Sequence, residues 1–294
     1  MKTCLPKFKR NSKRTNSKRE NVLPAPVSGK DYLWLNLRDL PYFRAVLRAV
    51  EARFYDAIEL PEPCLDLGCG DGHFASIAFK YSLAVGLDPW SGPLREAAGR
   101  RIYRLAVQGS GALLPFENGA FSSVVSNSVL EHIPDLQPVL VELNRVLQPG
   151  GLFVFCVPNH RFLPMLSVAR WLERIKLVWL AGKYRGFFNR ISRHFHCDDN
   201  ATWTERLNAA GFKVNRQWDY FSPQSLAVLE WGHYFGLPAL VCRALFKRWI
   251  IAPAEWNLQL TRKICEPVYN EEVQQVEGVY SFYIAQKIGD ARRR

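Results

Sequence analysis

The chain has 294 residues, 48% apolar and 22% charged, which is enough for one large domain or two modest ones and excludes a disordered or fibrous protein. The net charge of +12 suggests a nucleic-acid partner until it is mapped: residues 1–20 carry eight Lys/Arg against the single acid Glu20, so +7 of it belongs to a tail. That tail, "KFKRNSKRTNSKRENVLPAP", has few apolar residues and runs into a Pro-containing linker. Residues 1–30 are therefore expected to be disordered and residues 31–294 to form the folded domain. A secretory signal needs an apolar stretch of roughly 7–15 residues after its charges, and "DYLWLNLRDLPYF" is too interrupted to supply one. The seven cysteines are scattered, with no CxxC pair; they read as reduced, mostly buried thiols of a cytosolic protein.

In chain order, "PCLDLG" reads as a buried strand and "DGHFASIAFKY" as the helix after it. "LAVGLDP" is a second strand, "PLREAAGRR" a helix, "YRLAVQG" a third strand and "FSSVVSNS" a fourth. The helix "DLQPVLVELNRVL", the turn "QPGG" and the fifth strand "LFVFCVP" follow. Apolar runs separated by amphipathic segments predict an α/β fold with a parallel sheet over residues 60–158, which would bind its ligand at the carboxyl ends of the strands.

The loop "CLDLGCGDGHF" holds three glycines, Gly68, Gly70 and Gly72. A phosphate-binding P-loop needs a Lys after the glycines, and none is present. A dinucleotide fingerprint needs GxGxxG, but the sixth position from Gly68 is His73. Asp66, two residues before the first glycine, would repel a pyrophosphate by about 1–4 kcal/mol at contact, so a cationic ligand fits better. Asp88 ends the second strand, where a carboxylate can accept from both ribose hydroxyls.

"LDLGCGDG", "GLD", "LPFENGAFSSVVSNSVLEHIPD" and "LNRVLQPGGLFVF" together resemble the ordered motifs of class I S-adenosylmethionine-dependent methyltransferases, in particular the type-11 group, across residues 62–158. "WTERLNAAGFKV" resembles the last helix and sixth strand of that fold, and "VYSFYIAQK" its antiparallel seventh strand. The resemblance implies a Rossmann-like seven-stranded sheet with helices on both faces and inserted cap helices. It implies S-adenosyl-L-methionine as cofactor, with Asp66 and the Gly68–Cys69–Gly70 turn at its methionine end and Asp88 at the ribose. Pro89, Trp90, Ala112 and Leu113 would lie beside the adenine, and Asn127 beside the methionine moiety. Ser110 and Ser122 stand where the family more often has acids. A cofactor-binding partner or scaffold subunit without turnover is the alternative to an enzyme.

A sulfonium methyl needs an aligned nucleophile, and a base only if the acceptor must lose a proton. His132, in "LEHIPD", and His160, past the fifth strand, are the candidate bases. His194 and His196, in "SRHFHCDD", have no Cys/His partners at zinc spacing, so no metal is expected. Acceptor choice should reside in residues 1–60 and in the inserts 159–200 and 222–276. In the first insert, Met165, Val168, Ala169, Leu172, Ile175 and Trp179 predict one helical face, with Arg170, Glu173 and Arg174 away from it. The two inserts are expected to form a cap over a small-molecule or lipid acceptor, with an anionic acceptor and peripheral membrane contact as the sharper form of that expectation. Nucleic acid is not expected.

Overall fold

The structure, a computed structural model, describes residues 28–289; the disorder expected for residues 1–27 lies outside the described residues. β1 (Cys64–Leu67) is buried along its whole length, Cys64 facing one helical layer and Leu65 and Leu67 the other. Burial on both faces accounts for its unbroken apolar character apart from Asp66. β2 (Leu83–Asp88), β3 (Tyr103–Gln108), β4 (Phe121–Asn127) and β5 (Leu147–Pro158) join it in parallel, while β6 (Phe212–Tyr220) and β7 (Tyr280–Lys287) pair antiparallel. The sheet order is β3-β2-β1-β4-β5-β7-β6, with β7 antiparallel to β5 as well. The chain builds outward from β1 in one direction and resumes at β4 in the other. The crevice at the carboxyl ends of β1 and β4 is thus the switch point where such sheets bind ligands.

Before the sheet come α1 (Tyr32–Leu37) and α2 (Tyr42–Asp56); within it lie α3 (His73–Ala78), α4 (Ser91–Arg100) and α5 (Gln137–Val146). Ser28 N–H donates to the Asp56 carboxylate and Lys30 Nζ to the Ile77 carbonyl, so the chain is already tied to the fold before α1 begins. α3 ends at Ala78, three residues short of the expected helix. The later helices are α6 (Ser167–Arg174), α7 (Val178–Ser192), α8 (Asn200–Ala209), α9 (Pro223–Phe235), α10 (Leu237–Phe246) and α11 (Glu255–Tyr269). Val124 and Phe153 pack with Leu140 and Trp203 of α5 and α8; Val125 and Val154, the alternate residues of the same strands, pack with Phe54 and Leu226 of α2 and α9. This two-residue alternation covers both faces of the sheet with helices.

The single helical face expected over 165–179 is wrong. Ala169 and Leu172 are buried, but Ile175 and Trp179 are exposed because the segment breaks into α6 and α7. Lys176 adopts φ 63°; its N–H donates to the Glu173 carbonyl and Leu177 N–H to the Leu172 carbonyl. That pair of bonds is a Schellman stop. Glu230, buried on α9, accepts from Ser167 N–H, Val168 N–H and the Tyr184 hydroxyl, which locks α6, α7 and α9 into one cap. Among the described residues every cysteine is free, four of the six being buried.

Candidate functional site: a cofactor cleft joined to a second cavity

The glycine turn follows β1 and is fixed to β2: Gly68 and Cys69 N–H both donate to the Leu87 carbonyl. Gly68 has φ 74°, and a Cβ there would lie 2.5 Å from Val129, so no larger residue fits. Gly70, with φ 54°, differs: a Cβ would meet nothing within 4 Å. Its open side is room for something that approaches the backbone. Gly70 N–H donates to one Asp88 oxygen and Trp90 N–H to the other, each at 2.9 Å. The buried Asp88 therefore ties the turn to the end of β2. Asp66 accepts from the Tyr103 hydroxyl at 2.6 Å; burial pushes its pKa up to about 6 in spite of that bond.

Asp66, Gly68, Cys69, Gly70 and Asn127 line a cavity of about 310 Å³ at the switch point. The remaining expected cofactor residues stand beside it at the adjoining ends of β2 and β3. Trp90 is 71% and Leu113 79% exposed, apolar surfaces that no other described residue covers, with Pro89 and Ala112 exposed next to them. Ser110 bonds only its own turn, through Ala112 N–H, and Ser122 bonds Gln148 at the opposite end of β4.

Sequence reasoning missed the contribution of α2. Arg44 and Arg48 line this cavity and also a second one of about 450 Å³, which is bounded further by Glu131, His132, His194 and His233. Buried Glu51 accepts from Arg48, Asn127 Nδ2, Ser128 Oγ and the Tyr220 hydroxyl, so one carboxylate joins α2, β4 and β6. The Arg44 guanidinium lies over the Trp249 ring and makes no hydrogen bond or ion pair among the described residues. Of the two candidate bases, His132 faces the second cavity; His160 lies in a separate surface depression with Met165 and Arg185. His194 and His196 diverge, His196 Nε2 bonding the Ile133 carbonyl while His194 faces the second cavity.

A seven-stranded sheet of this order, parallel but for β7, a GxGxG turn after β1 and a carboxylate at the end of β2 define a class I S-adenosylmethionine-dependent methyltransferase domain. Residues 65–155 match the family model described as a methyltransferase domain. It is 33% identical over 144 residues to an uncharacterized methyltransferase of Mycolicibacterium gilvum, covering 46% of this chain and 52% of that one. It is 28% identical over 198 residues to a probable S-adenosylmethionine-dependent methyltransferase of Mycolicibacterium smegmatis, covering 67% of each. It is 35% identical over 119 residues to a demethylmenaquinone methyltransferase of Lactococcus lactis, covering 36% of this chain and 45% of that one. The chain thus spans about half the length of the first and the third.

The donor set fits S-adenosylmethionine. Two buried carboxylates suit a sulfonium with an ammonium group and a ribose, the open flank of Gly70 leaves backbone clearance, and Trp90 and Leu113 leave apolar surface at the adenine end.

Proposed function

We propose that the chain transfers a methyl group from S-adenosylmethionine to a small-molecule or lipid-type acceptor seated in the second cavity. The observation that carries this reading is the shared wall: Arg44, Arg48 and Ser128 line both cavities, so the second lies directly against the methionine end of the cofactor site. When bound, S-adenosylmethionine supplies an already activated methyl on a sulfonium. The protein's task is then alignment at about 3 Å and exclusion of water. Asp66 and the Gly68–Gly70 turn hold the methionine end, Asp88 the ribose, and Trp90 with Leu113 the adenine. Asn127 is held by Glu51 and Cys156 in a fixed orientation at the end of β4. Arg44 and Arg193 give the acceptor cavity a cationic lining, which favours an anionic acceptor.

A lipid-type acceptor is supported by the cap. α10 buries none of its residues, and Leu240, Val241, Leu245 and Phe246 are exposed beside Lys247 and Arg248. Trp171 and Trp179 are exposed on α6 and α7 among Arg170, Arg174 and Lys183. Apolar and basic residues mixed in this way suit the headgroup region of an anionic membrane. Among the described residues no helix is long and apolar enough to cross one. One relative carries the name of a menaquinone precursor.

The test is incubation of the protein and methyl-labelled S-adenosylmethionine with a cell extract, followed by separation into lipid, small polar and macromolecular fractions. Label in either of the first two, absent with Gly70→Leu, is the expected result. Label confined to protein or nucleic acid refutes the acceptor class, and no label in any fraction refutes turnover.

A further inference from the structure

We propose that Glu131, His132 and His194 form a divalent-cation site in the wall of the acceptor cavity. The inference rests on the reading of that cavity given above, but the site is argued from its own atoms. One ligand atom from each of the three residues lies within 4.8 Å of the others. The His132 and His194 rings are 5.3 Å apart between centroids, and Glu131 Oε1 is 3.8 Å from His132 Nε2. Small side-chain rotations bring such a set to the roughly 2.0–2.2 Å that zinc and similar ions require.

Two features point to a ligand. Glu131 is 1% exposed, and its Oε2 has no hydrogen-bond partner. A buried carboxyl oxygen left without a partner is costly. Both imidazoles are held by the nitrogen that faces away from the cluster: His132 Nδ1 donates to the Arg193 carbonyl at 3.0 Å, and His194 Nδ1 lies 3.7 Å from Cys197 Sγ. The bond to a carbonyl fixes His132 as the tautomer with Nε2 unprotonated, as ligating histidines are usually fixed. The nearby Arg48 does not fill the position, because its guanidinium is engaged by Glu51 and the Asn127 carbonyl.

Two histidines and one carboxylate leave coordination positions open, and the site faces a cavity of about 450 Å³. An acceptor carrying an oxygen or nitrogen donor could take one of those positions next to the cofactor cleft. The ligand class is therefore a borderline divalent ion such as zinc, cobalt or nickel. The sequence hides the set because His194 comes 62 residues after His132, with no local spacing to mark it.

The experiment titrates chelator-treated full-length protein with Co²⁺, followed by visible absorption, and with Zn²⁺ by calorimetry. One equivalent should bind with micromolar or better affinity. Glu131→Gln, His132→Ala and His194→Ala should each weaken it at least about tenfold, while His160→Ala should leave it unchanged. S-adenosylhomocysteine binding and thermal melting, measured on the same samples, show that each variant is folded. They also separate failure of the metal site from failure of the cofactor reading. Absence of a saturable Co²⁺ signal in the wild type, wild-type affinity in His194→Ala, or an equal loss in His160→Ala overturns the proposal.

Discussion

The two cavities are built by opposite means. Around the cofactor cleft, backbone groups do the positioning: Gly68 and Cys69 N–H on the Leu87 carbonyl, Gly70 and Trp90 N–H on Asp88. Around the acceptor cavity it is side chains from α2, α7 and α9, with the short turn after β4, that meet, and the cap leaves much apolar surface uncovered. A site made of main chain tolerates little change in sequence, whereas a site made of projecting side chains can be refitted by substitution. That contrast accords with the family-model match over residues 65–155, which ends within β5.

The comparison can be broken first at Gly70. Leu there places a side chain in the open flank of the cleft and forces a φ that branched residues avoid. S-adenosylhomocysteine affinity should fall by at least about 3 kcal/mol, more than a hundredfold, while the left-handed strain of about 1–2 kcal/mol lowers the melting temperature by only several degrees, because a Cβ at this position meets no protein atom within 4 Å. Calorimetric affinity equal to that of the wild type would mean that the backbone at Gly70 does not approach the ligand.

A smaller effect sharpens the electrostatic side of the cleft. The folded pKa of Asp66 is raised to about 6, above an unfolded value of about 3.9. Between those pH values the folded state binds more protons, so this group makes the free protein less stable as pH rises from about 4 to 6. Binding of a cationic cofactor has the opposite sign, since it requires the ionised carboxylate. S-adenosylmethionine affinity should drop up to about tenfold for each pH unit below 6, and Asp66→Asn should flatten that dependence. A wild-type profile that is level from about pH 7.5 to 5 would remove Asp66 from contact with the cation.

The smallest expected effect lies in the cap. Protein lacking residues 1–27 should sediment with anionic vesicles more than with neutral ones, each basic residue near the surface contributing up to about 1 kcal/mol, and salt should weaken the association. Arg170→Glu with Arg174→Glu should lower the bound fraction several-fold. Indifference of the truncated protein to both vesicle types would confine the cap to a soluble acceptor.

The difference between the two regions also governs what the sequence could disclose. Strands β1 to β5 were legible because burial on both faces writes them as apolar runs between turns, and the cleft residues were legible because a glycine turn admits few substitutions. The break between α6 and α7 was not, because its left-handed position is occupied by Lys176, a residue that carries no turn signal. Glu51 left a trace: it continues the buried row Leu47–Glu51–Tyr55 of α2, where a carboxylate among apolar neighbours demands partners. Arg44 and Arg48 left none, since arginine every fourth residue is ordinary on a helix. Their role depends on which strand end α2 crosses, and that is settled by long-range packing.

Asp88 is the feature with the widest reach. Its two oxygens hold the main chain on both sides of the cleft, one through Gly70 and the other through Trp90. In the proposed site the nucleoside and amino-acid halves of the cofactor would therefore rest on one shared hinge pin rather than on two separate supports. Adenosine alone, by ordering that pin, should prepare the methionine half, and each fragment should bind more tightly in the presence of the other. The recognition of one end of the cofactor is in this way a report on the other.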